Sequence, residues 1–170
     1  MLLAFGVYVP KSAYSAQSEE SQLKAVFVLN FAKLTEWPAD SLADSKTFAI
    51  AILGKAPSDT FIKTLQSQTV RGTKVSVRLI DEVDEAKGVH LVYISGSERH
   101  RLARILKGIS QRGILTVSDI SGFCEAGGMI GLEPLQDRLG FNVNMTAVRK
   151  AGLSISSQLL NLAKTVFGNQ

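Results

Sequence analysis

The sequence has one cysteine and two histidines, and these shortages exclude most site chemistry. Cys124 alone forms no intramolecular bridge, and no cysteine pair stands at metal-binding spacing. The fold must therefore be held by its core. Neither His90 nor His100 has a second histidine three or four residues away, so a helical metal pair is missing. A nucleophilic triad would have to draw its base from one of these two rings, and nothing in the spacing favours one. No apolar run reaches the roughly 18 residues of a membrane span. Glycine motifs of the dinucleotide or phosphate-loop kind are missing too. Gly54-Lys55 is followed by Ala56, with no upstream glycine at the required spacing, so Gly54 reads as a tight strand-to-helix turn. Aromatic residues make up only 7% of the chain. No enzyme activity, catalytic residue, metal ligand or cofactor is expected.

What the chain does have is apolar mass. It carries 45% hydrophobic residues over 170 positions, which suits one domain with one core. A domain of that size buries roughly 70% of the surface its unfolded chain exposes. The formal charge is +4, and most of the bases are scattered. The one dense basic stretch holds Arg99, His100, Arg101, Arg104 and Lys107. Leu102, Ile105, Leu106 and Ile109 thread through it at helical spacing, so the bases read as the solvated face of an amphipathic helix. That argues against a nucleic-acid partner. Asp81, Glu82, Asp84 and Glu85 read as a solvated loop, because acid–base chemistry needs paired carboxylates in an enclosed site.

The first ten residues, MLLAFGVYVP, are apolar and uncharged, and KSAYSAQ follows. This resembles the end of a secretory signal, with small residues Ala13, Ser15 and Ala16 near a cleavage point. Against that, no positive segment precedes the apolar run, and an ordinary apolar N-terminal strand or helix is the alternative. Residues 1–17 are accordingly set apart as the remnant of a signal peptide, and the domain is taken as 18–170.

Within that domain, apolar periodicity predicts a helix over 18–36, with Ser18 as N-cap and Trp37-Pro38 as its stop. Its reverse side, Ala25, Val28, Leu29 and Ala32, is also apolar. Such a helix is either deeply buried or presented to a partner, so these four residues are a candidate interface. TFAIAIL (47–53) and VHLVYI (89–94) read as strands covered on both faces, and KVSVRLI (74–80) alternates as a strand does. A short helix to about residue 66, a helix over 98–110 and a strand over 114–117 complete a β–α alternation. Two strand-like runs at 128–132 and 139–143 form an antiparallel hairpin. Helices over 145–150, with Asn144 as cap, and 156–167 close the chain. The expected fold is a single α/β domain: a mixed, mostly parallel sheet flanked by helices, with a C-terminal antiparallel hairpin and two closing helices.

The segment SDISGFCEAGGMI (118–130) lies beyond the end of a strand, where α/β sheets bind ligands. Its alternative reading is an ordinary polar turn. Ser118, Asp119, Phe123, Gly127, Gly128 and Met129, together with Trp37, are the candidate contacts for a partner or ligand.

Three blocks then stand together. Lys24-Ala25-Val26-Phe27, Asn30-Phe31-Ala32-Lys33 and Glu36-Trp37-Pro38 form the first. Ile114 to Asp119, Phe123 and Gly127-Gly128-Met129-Ile130 form the second. The third is Phe141-Asn142-Val143-Asn144, Ala147, Ala151-Gly152-Leu153 and Ser156-Ser157 with Leu159-Leu160. In this order they resemble the YfiR family of exported regulatory proteins, over about residues 20–167. The resemblance implies a periplasmic protein that works by binding, repressing the periplasmic sensor region of an inner-membrane diguanylate cyclase, a GGDEF protein. It also implies relief by an outer-membrane lipoprotein; a homodimer is a further expectation. A periplasmic small-molecule binding module is the alternative. The best-known member has cysteine pairs that form disulfides, whereas this chain has Cys124 alone. That puts internal redox control in doubt and leaves an intermolecular bridge as the one disulfide to consider.

Overall fold

The chain is described here by a computed structural model covering residues 11–38, 46–109, 113–136 and 138–168. Ten strands occur among these residues: β1 (Thr35–Glu36), β2 (Phe48–Leu53), β3 (Thr69–Val70), β4 (Thr73–Ile80), β5 (Leu91–Ile94), β6 (Leu115–Ser118), β7 (Ile130–Pro134), β8 (Leu139–Asn144), β9 (Ser154–Ile155) and β10 (Thr165–Phe167). The helices are α1 (Lys11–Lys33), α2 (Asp59–Gln66), α3 (Leu102–Ile109), α4 (Met145–Lys150) and α5 (Ser157–Leu162). Single 3₁₀ turns span Val83–Ala86 and Gly96–Arg101.

The apolar runs sit at the centre, as continuous burial requires. Eight strands form one sheet in the order β10-β8-β7-β6-β5-β2-β4-β3. β4, β2, β5, β6 and β7 run parallel; β8 and β3 pair antiparallel to their neighbours. The expected mixed, mostly parallel sheet is therefore the observed one. The hairpin β7–β8 is not an appendage, because β7 joins β6 through Val117↔Ile130 and extends the main sheet.

Both sheet faces are covered. On one, Ile50, Ile52, Tyr93, Val117, Phe141 and Val143 meet α1, α2, α4 and α5. On the other, Leu53, Val92 and Ile94 meet Leu102, Ile105, Leu106 and Ile109 of α3. The bases threaded through that last helix, including Arg104 and Lys107, remain exposed. The acidic cluster is structural. The Glu85 carboxylate accepts from the Asp81 and Glu82 backbone N–H groups at 3.1 and 2.9 Å, and Arg101 donates to Glu82 at 2.9 Å.

Four sequence expectations need correction. First, α1 starts at Lys11 and not at residue 18, while 1–10 lie outside the described residues. No glycine or proline interrupts Lys11–Lys33. Ser18 is thus mid-helix, with its hydroxyl 3.3 Å from that of Thr60. Second, α1 stops short of residue 36: Thr35 and Glu36 pair with Ile155 and Ser154 as a two-stranded ribbon. The residue before a proline avoids helical geometry, and β9 supplies the backbone partners. Third, the last helix ends at Leu162, and Thr165–Phe167 pair with β8 instead. Three β-branched or aromatic residues in a row, beside an open sheet edge, favour a strand there. Fourth, the candidate interface on α1 is core: Ala25, Val28 and Ala32 are fully buried and Leu29 nearly so. They face the sheet, with Phe31 against Phe141 at 5.0 Å. Among the described residues, the exposed large apolar side chains of α1 are Leu23 and Val26, at 42% and 40%.

Two substitutions on one helix separate these faces. Val28→Asp places a carboxylate in the core and is expected to cost about 4 kcal/mol or more. Val26→Asp, at the surface, is expected to stay within ~0.5 kcal/mol of the parent. Urea unfolding of both variants checks this.

Candidate functional site

The carboxyl ends of β2, β5 and β6 meet the first half of α1. The chain leaves β2 at Gly54, with φ +84°, where any side chain would collide with Ser97 and Glu98. The Lys55 N–H donates to Ser97 Oγ at 3.2 Å. This tight exit keeps the space above β5 and β6 open, as a crevice of about 190 Å³. Lys24, Tyr93, Ser95 and Asp119 are among its lining residues.

An ion pair crosses the crevice. Lys24 Nζ donates to Asp119 Oδ2 at 2.9 Å and lies 2.9 Å from Glu20, tying α1 to the end of β6. Burial alone lowers the lysine's pKa, but Glu20 and Asp119 outweigh it, and the net shift is upward. The Tyr93 side chain is fully buried and its hydroxyl has no hydrogen bond of normal geometry. Burial first, and the nearby Asp119 charge second, push that hydroxyl well above its ordinary pKa. Ser118, beside it, is consumed by the backbone: its hydroxyl donates to Ile94 O at 2.6 Å and accepts from Ile120 N–H at 3.1 Å.

The remaining candidates do not join this crevice. Trp37 packs edge-on to Phe48 at 5.4 Å, and Phe48 stacks on His90 at 4.8 Å. Phe48 begins β2, so Trp37 lies at the opposite end of the parallel strands from Asp119. His90 Nδ1 accepts from the Ala49 N–H at 2.9 Å, and His100 Nδ1 sits 3.1 Å from Ser97 O. Phe123 is core, and Gly128 is glycine because a side chain there would enter the Phe123 ring.

Gly127 and Met129 line a second, larger cavity of about 390 Å³ on the other side of the sheet. Leu106 and Lys107 of α3, and Asn144, Ala147 and Lys150 of the α4 segment, complete much of its wall. Asn144 caps α4 as expected: Oδ1 accepts from Ala147 N–H at 3.1 Å, and Nδ2 donates to Cys124 O at 2.9 Å. Thr116 Oγ1 accepts from Met129 N–H at 3.1 Å. The loop read as one contact surface thus divides among a crevice, the core and a cavity. Sequence reasoning missed Lys24, Tyr93, Lys107 and Lys150. A lysine beside the apolar run of α1 and a lone hydroxyl in VHLVYI were the available signals for the first two; Lys150 had none.

Cys124 is buried, 3.6 Å from Met129 O and 3.4 Å from Asn142 O. Burial pushes its thiol up to about 12. An intermolecular bridge through it would require the loop to open first, which removes the remaining disulfide from the folded protein. Among the described residues no cluster of histidine, cysteine and carboxylates could hold a metal ion.

Three measurements follow from this geometry. Cys124 should react with a thiol reagent far more slowly folded than in denaturant, and equal rates would contradict its burial. Gly128→Ala should lose about 1–3 kcal/mol through the displaced Phe123 ring, read by thermal unfolding. Cys124, Tyr93 and Lys24 all hold their proton more tightly when folded. Their contribution is therefore complete below the unfolded values and lost as pH rises through the folded ones. Unfolding free energy should fall from about pH 9 upward, and Cys124→Ala should flatten the first part of that fall.

Comparison with known proteins places this geometry. No curated protein matches the chain. A conserved domain protein from Vibrio cholerae shares the fold with a TM-score of 0.58 at 10% identity, over 84% of this chain and 59% of that one. A domain from Streptococcus pneumonia described as an ABC domain, in complex with L-Trp, does so with a TM-score of 0.56 at 11% identity, over 82% and 59%. The chain therefore spans 59% of the length of each. No helix among the described residues is long and apolar enough to cross a membrane. The pattern of the YfiR/HmsC-like family matches residues 21–164, from the second half of α1 through α5, so the chain belongs to that family, one of periplasmic regulators.

Proposed function

We propose that this protein is a periplasmic repressor that binds the periplasmic sensor region of an inner-membrane diguanylate cyclase and lowers cyclic-di-GMP output. The observation that carries this is the family match over residues 21–164, which takes in both faces of the sheet and both cavities. The physical requirement is modest. A repressor need only bind one conformer of its receptor better than the other. Switching a cyclase from mostly on to mostly off needs a preference on the order of 10⁴-fold. A stable sheet that presents a fixed surface can supply that without chemistry.

Among the described residues, α1 presents a small apolar surface. Leu23 and Val26 are exposed one turn apart, beside Phe27, which is half-buried against Phe31 and Phe141. This pair replaces the buried Ala25, Val28, Leu29 and Ala32 as the part of α1 that a receptor can touch.

A second reading, a small-molecule binding module, is favoured by the two cavities near the 118–130 loop. It is compatible with the first wherever ligand binding tunes repression.

The test is a pull-down from membranes with the tagged, exported protein, combined with deletion of the chain. Co-purification of a membrane-anchored GGDEF protein and a rise in cyclic-di-GMP are expected. Val26→Asp should reduce the captured cyclase severalfold while the variant melts like the parent. Unchanged cyclic-di-GMP after deletion, with no membrane partner recovered, overturns the proposal.

A further inference from the structure

We infer that the crevice at the carboxyl ends of β2, β5 and β6 is a binding site for a small primary amine in its ammonium form; this rests on the small-molecule reading and names its ligand class. The chain leaves β2 for β4 on one side and then crosses to β5 on the other. α2, which follows β2, packs on one face of the sheet, and α3, which follows β5, packs on the opposite face. The connections leaving β2 and β5 therefore part, and open α/β sheets bind ligands in the gap so formed. The crevice lies at this gap: Pro57 comes from the link after β2, and Tyr93 and Ser95 from the end of β5. α1 crosses over it. Its Ala25, Val28 and Ala32 are core, but the turns before them present Ser21 and Lys24 to the crevice.

A buried group in this wall is left unsatisfied. Tyr93 is fully buried and lines the crevice, yet its hydroxyl forms no hydrogen bond of normal geometry. A buried hydroxyl in that state costs free energy, and a ligand that bonds it recovers the cost. Among the described residues, the charged side chains of the wall are Glu20, Asp119 and Lys24, an excess of one negative charge. Two groups register that field. Lys24 holds its proton more tightly than an ordinary lysine despite its burial. The Tyr93 hydroxyl is pushed up by burial first, with Asp119 and Glu20 adding to it. Lys24 engages Asp119 Oδ2, while Oδ1 lies over Gly96, which has no side chain to cover it. An incoming anion would have to displace two carboxylates from Lys24. A neutral alcohol would leave the charge excess unmatched, and a quaternary ammonium has no N–H to give. A primary ammonium has three, enough for Asp119, Glu20 and the Tyr93 hydroxyl oxygen. The volume of about 190 Å³ lies below the range of drug-sized sites, so the amine has only a few non-hydrogen atoms.

The isotope-labelled full chain is titrated at neutral pH with propylamine, propanol, propionate and tetramethylammonium, and backbone amides are read by NMR. Propylamine is expected to shift the Ser95 and Gly96 amides saturably in the millimolar range, as a ligand of so few atoms allows. It should bind best, tetramethylammonium severalfold more weakly, and propionate weakest. Asp119→Asn should weaken propylamine about tenfold. Tyr93→Phe removes a hydroxyl that has no hydrogen bond to lose, so it should melt like the parent and yet weaken propylamine roughly threefold. If Asp119→Asn does not fold, the Tyr93→Phe result decides. Any other probe binding as tightly as propylamine, unchanged affinity in Tyr93→Phe, or no saturable shift at Ser95 and Gly96 overturns the inference. Saturable shifts confined to Met129 also overturn it but leave the small-molecule reading standing, whereas no saturable shift at either cavity counts against both.

Discussion

Strands β2, β5 and β6 pair in parallel and bury nearly every side chain on both faces, and the rest of the architecture answers to that. A sheet buried on both sides needs apolar helices on both sides. This is why α1 spends Ala25, Val28, Leu29 and Ala32 on the sheet and keeps only a narrow apolar strip outside. It also explains where polar chemistry is found. The middle of the sheet has no room for it, so Lys24, Tyr93 and Asp119 gather at the strand ends, and Lys107 and Lys150 at the ends of short helices.

Much of this arrangement was legible in the residues. The apolar runs 47–53 and 89–94 gave central strands, Gly54 gave a turn, and Asn144 gave a cap. The two misplaced helix ends share one cause. Thr35–Glu36 and Thr165–Phe167 are two and three residues long, and their strand state depends on partners elsewhere in the sequence, Ser154–Ile155 and Asn142–Asn144. No local periodicity can carry that information. The hairpin turn between β3 and β4 is a partial exception. Arg71 and Gly72 both take positive φ, 52° and 78°, as a tight two-residue turn demands, and Arg71 then donates to Thr35 O at 2.8 Å. Only the glycine of that pair was a visible cue.

The candidate contacts were legible as a segment but not as a site. Residues 118–130 do sit beyond the carboxyl end of β6, where ligand binding is common. Their side chains, however, leave the segment in three directions. Asp119 turns to α1, Phe123 to the core, and Met129 to the far cavity. Sequence order cannot separate these, because the direction of each is set by which neighbour it packs against. The same packing settles Cys124. Its neighbours are backbone carbonyls in a closed loop, so its role in the folded chain is that of a small buried side chain.

The outermost strands of the main sheet, β3 and β10, are two and three residues long. β3 pairs only with Thr73 and Lys74 of β4, so among the described residues β4 itself forms the edge from Ser76 to Ile80. A strand edge of that length offers a row of backbone N–H and C=O groups to another chain. A copy or a partner that laid a strand along Ser76–Ile80 would add to the sheet backbone to backbone, with the side chains of β4 setting which strand fits.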